Sequence, residues 1–266
     1  TLTTLAATGQ EHYHELYQPL TPGFVSVTAD EPEELEELAK TVKIAGVLFE
    51  SIQGEGGVVP LSAEYVKFLR KFTEENDIVL MADEVQTGNG RTGKMYAYMN
   101  FGIVPDVIST AKGLGGGLPI GATMLSEKLE NVFGYGDHGS TFGGTPLATA
   151  VSAAVVQELL KQNLAERARK LGEYIKSTVE GWNIPCVAGV RGLGLLRGVG
   201  FDKTKFRHPL PEGTTPAAYV NNLCREAGLL ACPAGPDTLR LIPALNIPQE
   251  VLDEGLNILH QVLTEA

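Results

Sequence analysis

Lys112 and Asp83 have the side chains and settings for covalent chemistry. Lys112 sits in Ser109-Thr110-Ala111-Lys112-Gly113-Leu114-Gly115-Gly116-Gly117, after a short apolar stretch and before a glycine run. Its neighbours are small and uncharged, which predicts a partly dry setting and a nucleophilic amine. Asp83 directly follows the apolar run Ile78–Ala82 and opens Asp83-Glu84-Val85-Gln86. A lysine that can form an imine, with a carboxylate at the end of a neighbouring strand, is what an enzyme needs to hold pyridoxal phosphate. The amine condenses with the cofactor aldehyde, and the carboxylate keeps the ring nitrogen protonated so that the ring accepts electrons. Taken singly, each residue has a plainer reading. An aspartate after a strand is commonly a turn or helix-cap residue, and a lysine beside glycines commonly borders a loop. The glycine run is not a Walker loop, where the lysine follows the glycines and a Ser or Thr comes next. It suits a tight turn or a close backbone approach.

The elements that must carry these residues are legible as patterns. Ile44–Phe49, Ile78–Ala82 and Val107–Ser109 are short apolar runs of the kind buried in parallel sheets. Ile120–Leu125 and Gly23–Val27 are further strand candidates. Asp30-Glu31-Pro32 starts a helix, with proline in its first turn and acids near its N-terminus. Tyr65, Leu69 and Phe72 recur at helical spacing through Ser62–Glu75. Strand–helix alternation predicts a mostly parallel α/β sheet, with the site at the carboxyl ends of its strands. From Ala148 to Thr178 the chain reads as one long helix, or two with a break near Gln162-Asn163. A smaller α+β block follows, with strands at Leu195–Phe201 and Thr238–Ile242 and helices at Ala217–Glu226 and Pro248–Glu265. The expected division is 1–180 for the large unit with its long helices and 181–266 for the small one.

Composition narrows the classes. The 266 residues are 43% hydrophobic and 20% charged, the profile of a globular protein. The net charge of −11 argues against nucleic acid and anionic membranes as partners. There is no long apolar run for a membrane helix and no basic-then-apolar signal segment. Cys186, Cys224 and Cys232 form no CxxC pair, and the five histidines show no metal-ligand spacing. The cytoplasm is the expected compartment. His12 and His14 read as surface residues, and His138 as a residue that orders its own loop.

Four motifs in one order carry a resemblance. Glu50-Ser51-Ile52-Gln53-Gly54-Glu55-Gly56-Gly57 resembles the E-P-I-Q-G-E-G-G stretch of class III pyridoxal-phosphate-dependent aminotransferases. Asp83 to Gly93 resembles their D-E-V-Q-x-G-x-G-R-T-G motif, Lys112 falls where their Schiff-base lysine does, and His138 to Gly144 matches H-G-S-T-F/Y-G-G. The similarity runs from Thr1 to the C-terminus, and Ala234 to Arg240 points to the subgroup acting on acetylornithine. The resemblance implies a fold type I transferase and a homodimer. It also implies amino transfer from N-acetylornithine to 2-oxoglutarate in arginine biosynthesis.

It assigns roles residue by residue. Lys112 is the imine partner and proton shuttle, and Asp83 pairs with the ring nitrogen. Val85 packs on the ring and Gln86 lies near its phenolic oxygen. Ser140 and Thr141 reach the cofactor phosphate of the opposite subunit. Glu55 and Arg240 form a switchable pair, Arg240 being freed for a second substrate carboxylate and otherwise held aside. Without the resemblance, Val85 could be plain core, Gln86 a turn cap, Ser140 and Thr141 loop hydroxyls, and Glu55–Arg240 an ordinary ion pair. Ser51 stands where the family has proline, and Thr145 where it has asparagine. Thr1-Leu2-Thr3-Thr4-Leu5 reads as the interior of an element, so a fragment or a processed chain is expected. The family's phosphate-cradling helix-start loop, its ring-covering aromatic residue and its α-carboxylate arginine would then lie upstream. On that reading the 266 residues alone bind cofactor weakly and turn over little. The rival readings are a class III enzyme for ornithine, succinylornithine or 4-aminobutyrate, an aminomutase of the same fold, and a non-catalytic dimerisation module.

Overall fold

The three central apolar runs pair side by side. The structure, a computed structural model, describes residues 2–266; Thr1, the first residue of the expected N-terminal element, lies outside them. A short helix α1 (Leu2–Ala7) and irregular chain lead to α2 (Pro32–Thr41) and β1 (Gly46–Phe49). A two-stranded ribbon, β2 (Ile52–Gln53) and β3 (Val59–Pro60), precedes α3 (Ala63–Glu75), β4 (Val79–Asp83), β5 (Val107–Thr110) and β6 (Ala122–Leu125). The first main sheet has the order β1-β4-β5-β6. β1, β4 and β5 are parallel, while β6 runs antiparallel to β5.

Helix α3 is the crossover between β1 and β4. Its N-terminus is capped by the Ser62 hydroxyl, which accepts from Tyr65 N at 3.1 Å. Its apolar stripe of Tyr65, Val66, Leu69 and Phe72 packs on Phe49, Leu80 and Ala82. Asp106 locks this layer, accepting from Leu80 N at 2.8 Å and from Arg70 Nη2 at 3.2 Å.

The expected break between long helices falls at Gln162-Asn163, separating α4 (Pro146–Lys161) from α5 (Leu164–Gly181), with Asn163 at φ +49°. The rest builds a second sheet from β7 (Val187–Leu193), β8 (Leu196–Phe201), β9 (Cys232–Ala234) and β10 (Thr238–Leu241), with α6 (Pro216–Glu226) and α7 (Gln249–Glu265). Its order is β7-β8-β10-β9, antiparallel throughout. Ala168, Leu171, Ile175 and Val179 of α5 share one core with Val199, Leu239, Leu256 and Leu259, so α5 packs with the second sheet. Helix α4 instead lies against the glycine turn after Lys112: a Cβ on Gly116 would sit 2.7 Å from Val155 Cγ2.

Three features depart from the patterns. Gly23–Val27 is irregular, exposed chain without a ladder partner, and a strand needs one to satisfy its backbone groups. Strand β7 escapes periodicity because Gly189 and Gly192 take positive φ and its register with β8 shifts between Val187 and Gly189. Strand β9 carries Pro233, which its edge position tolerates.

The two sheets meet backbone on backbone. A Cβ on Gly172 of α5 would lie 1.9 Å from Gly194 O, and one on Gly194 (φ +55°) would lie 2.4 Å from Arg91 O. Gly172→Ala is therefore expected to destabilise the protein by about 3 kcal/mol or more in urea denaturation. Gly181→Ala, at the far end of α5 with nothing within 4 Å, should stay within about 0.5 kcal/mol.

Candidate functional site

Parallel pairing of β4 with β5 sets Asp83 opposite Ser109, so both strands end at the same level. Ser109 Oγ donates to Asp83 Oδ1 at 3.2 Å and Val85 N donates to the same oxygen at 2.9 Å. Neither bond uses Oδ2, which leaves that oxygen able to accept a hydrogen bond from a protonated ring nitrogen. Lys112 follows β5 in a short 3₁₀ turn at φ +47°. A non-glycine residue held there costs of order 1–3 kcal/mol and persists only when its surroundings impose it. Asn89 is one such constraint. It is buried, and its amide donates to Thr110 Oγ1 at 3.0 Å and to Ala111 O at 3.2 Å, clamping the backbone just before the lysine. Lys112 itself is exposed, not partly dry as its neighbours suggested. Alanine and glycines are too small to enclose a lysine.

A second constellation faces this end of the sheet. Val58 packs with Ile52, Leu196 and Ala234, which seats the 54–57 loop against the second sheet. Arg191 fixes the loop by donating from Nε to Gly57 O at 2.7 Å. Glu55 thereby reaches Arg240 on β10, with Nη1 to Oε1 at 2.6 Å. Gln86 sits between them: its Oε1 accepts from Arg240 Nη1 at 2.8 Å and its Nε2 donates to Glu55 Oε1 at 3.1 Å. A Cβ on Gly54 would lie 2.5 Å from the Gln86 amide, so glycine there makes room for it. The bond from Arg240 holds the Glu55 carboxyl below the usual range, helped by the Gln86 amide and Lys112 and opposed by partial burial. Arg240 is only 5% exposed. Burial works against its charge, but Glu55 and Cys232 outweigh that and leave it raised.

Glu50 lies in the first resembling motif, where the resemblance assigns it no role. It is partly buried beyond β1, and its Oε2 accepts from Gly54 N at 2.8 Å. Burial pushes its carboxyl up; Asp83 and Glu55 add to this, while the Gly54 bond and Lys112 oppose it. Glu84 and Arg91 are scaffold. Glu84 is fully buried and accepts from Thr87 Oγ1 (2.6 Å), Ala97 N (2.9 Å) and Tyr98 N (2.9 Å), pinning the loop between β4 and β5. Arg91 donates from Nη1 to Leu195 O at 3.1 Å and to Pro243 O at 2.5 Å, tying that loop to the second sheet, and burial lowers its pKa to about 10.

Val85 is half-buried beside Asp83. Ser140 and Thr141 are not gathered with these residues; they occupy an exposed loop, with Phe133, Tyr135 and Phe142 exposed nearby. His138 lies in the same loop, its ring 6.4 Å from that of Phe133. His14 Nε2 is 2.9 Å from Thr8 O, and His12 is exposed. All three cysteines are free. Among the described residues no His, Cys, Asp and Glu cluster could hold a metal, and no helix is long and apolar enough to cross a membrane.

Comparison with known proteins gives the family. The family description "Aminotransferase class-III" matches residues 1–263, and the chain belongs to that family. It is 43% identical to the acetylornithine aminotransferase of Gloeobacter violaceus, over 98% of this chain and 63% of that protein. Among solved structures, the ornithine aminotransferase of Toxoplasma gondii superposes with a TM-score of 0.90 at 31% identity, covering 99% of this chain and 61% of that one. The acetylornithine aminotransferase of Elizabethkingia anophelis gives 0.84 at 34%, covering 93% and 61%. The chain thus spans a little under two thirds of the length of these relatives.

The opposite shifts of Glu50 and Glu55 have opposite consequences for stability. Glu55, lowered, contributes stability that is present above the ordinary carboxylate range and lost as pH falls through its lowered value. Glu50, raised, favours the fold at low pH and loses that contribution as pH rises through its raised value. Glu50→Gln should therefore raise urea stability at pH 7, with the gain vanishing near pH 4. Glu55→Gln should lower it at pH 7, with the loss shrinking as the medium is acidified.

Proposed function

We propose that the protein is a pyridoxal-phosphate-dependent aminotransferase that moves the amino group of N-acetylornithine to 2-oxoglutarate, a step of arginine biosynthesis. The observation that carries the reading is the placement of Asp83 and Lys112 at the ends of adjacent parallel strands, with Asp83 Oδ2 left open. The names of the relatives favour this donor, and the Toxoplasma gondii structure is described with pyridoxal phosphate at its active site. The cofactor supplies an aldehyde for the amine and a ring that takes up the electrons released at the substrate α-carbon.

The chain's own residues do the rest. Asp83 accepts the ring N–H and keeps it protonated. Lys112 holds the cofactor and then carries the proton taken from the α-carbon. Val85 packs against the ring, and Gln86 serves its phenolic oxygen. Arg240 binds the distal carboxylate of glutamate or 2-oxoglutarate through its planar fork. When the donor carries a neutral acetamide there, Glu55 keeps Arg240 occupied. Ser140 and Thr141 serve the phosphate of a second subunit in a homodimer. Their exposure and that of the neighbouring aromatic residues support this assignment. The free cysteines suit a reducing cytoplasm.

Full-length protein mixed with pyridoxal phosphate should turn yellow and, after borohydride, carry a mass adduct on Lys112. A colourless protein without the adduct overturns the cofactor assignment. A panel of amino donors should give acetylornithine the highest kcat/KM, and preference for ornithine or 4-aminobutyrate would overturn the donor. Arg240→Ala should cost about two orders of magnitude in kcat/KM for 2-oxoglutarate, and much less for acetylornithine.

A further inference from the structure

We propose that Cys232 is a positioning residue for Arg240, holding the second amino group of the guanidinium so that the fork stays aimed when Glu55 gives way to a substrate carboxylate. The proposal rests on the reading of Arg240 given above. Antiparallel pairing of β9 with β10 sets Cys232 directly opposite Arg240, so their side chains share one face of the sheet. Arg240 Nη2 donates to Cys232 Sγ at 3.3 Å. The thiol lies 3.6 Å from Pro233 O, to which it can donate its own proton, leaving sulfur lone pairs toward the guanidinium.

Arg240 is therefore pinned at both ends by unlike acceptors. Nη1 faces Glu55 and Gln86, and Nη2 faces the thiol. Nε is buried and takes no hydrogen-bond partner among the described residues, so the hydrogen bonds that orient the group are those at Nη1 and Nη2. A neutral sulfur is a weak acceptor. It holds the guanidinium in place without competing for its charge, so a carboxylate on Nη1 can be exchanged while the Nη2 contact persists. A hard anion in its place would compete with substrate, and a smaller side chain would let the fork swing.

The test is dicarboxylate binding, which needs no turnover. Full-length protein loaded with pyridoxal phosphate is titrated calorimetrically with glutarate, a non-reacting five-carbon dicarboxylate, and with valerate, its monocarboxylate counterpart. Cys232→Ala should weaken glutarate binding about three- to tenfold, a loss of up to about 1.4 kcal/mol, and leave valerate within about twofold. Cys232→Ser, which restores a small neutral acceptor, should recover most of the loss. Unchanged glutarate binding in Cys232→Ala, while Arg240→Ala abolishes it, overturns the role of the thiol. Equal weakening of both ligands also overturns it, because it marks a general structural defect. If Arg240→Ala still binds glutarate like the parent protein, the reading of Arg240 fails, and the proposal with it.

Discussion

The pairing of β4 with β5 is the constraint on which the site depends. Parallel strands in register end at one level, and only there can an aspartate on one strand and a lysine just past the other face a common ligand. A register slip by one residue would turn Asp83 to the side where Leu80 and Ala82 are buried and strand its carboxylate in the core. The surroundings guard against that slip. Asp106 ties Leu80 N to α3, Glu84 N donates to Ser109 O at 2.9 Å, and Asn89 clamps the end of β5. Fixing the strands also fixes the strained backbone at Lys112, because the chain has little choice of path between Ala111 O, held by Asn89, and Gly116, packed on α4.

The second sheet is joined to the first through close backbone contact as much as through side chains. Gly172, Gly194 and the Arg91–Gly93 segment stack with no room for a Cβ, and Arg91 caps two carbonyls across the seam. Such contacts tolerate little sliding. They bring β10 within reach of the 54–57 loop, and that is why residues 185 positions apart in sequence, Glu55 and Arg240, form an ion pair.

The elements that carry the site were legible because their signals are local. Apolar runs bounded by turn residues located β1, β4 and β5, Pro32 and its acidic neighbours located α2, and the helical spacing of Tyr65, Leu69 and Phe72 located α3. What escaped depends on distant partners. β6 reads as a strand, but its antiparallel direction follows from the connection 111–121, which holds only a short 3₁₀ turn and no crossover α-helix. β7 and β9 are broken by glycine and proline, whose compatibility is decided by bulge and edge positions. The strand-end settings singled out Asp83 and Lys112, and the family resemblance singled out Glu55 and Arg240. The Gln86 amide between Glu55 and Arg240 could not be read there, because it requires knowing that Gly54 leaves a gap. The role of Asn89 was hidden likewise: it stands at a variable position of its motif, and its side chain acts on backbone 22 residues away.

On the proposed reading, electrostatics would let Arg240 act as a switch and not merely as a brace. A guanidinium this buried cannot be left without an anion, because an unpaired charge in the interior costs several kcal/mol. It must always have a partner, but the partner can change. Glu55 lies at the more exposed end of the pair, 53% accessible against 6% for Arg240, so it can rotate into solvent at low desolvation cost while Arg240 cannot follow. Replacing the Glu55 carboxylate by that of a substrate leaves the charge beside Arg240 unchanged. The two states then differ mainly in hydrogen-bond geometry and in the solvation of Glu55. A near balance of this kind lets modest differential affinity decide the equilibrium. Asp83 and Glu55 both disfavour a charge on the Glu50 carboxyl, and Lys112 favours it, so these groups of the first sheet and the 54–57 loop feel one another. Under the proposed function, a dicarboxylate that displaces Glu55 and a donor that leaves it in place would then enter sites of nearly equal net charge, with the carboxylate beside Arg240 coming from substrate in one case and protein in the other.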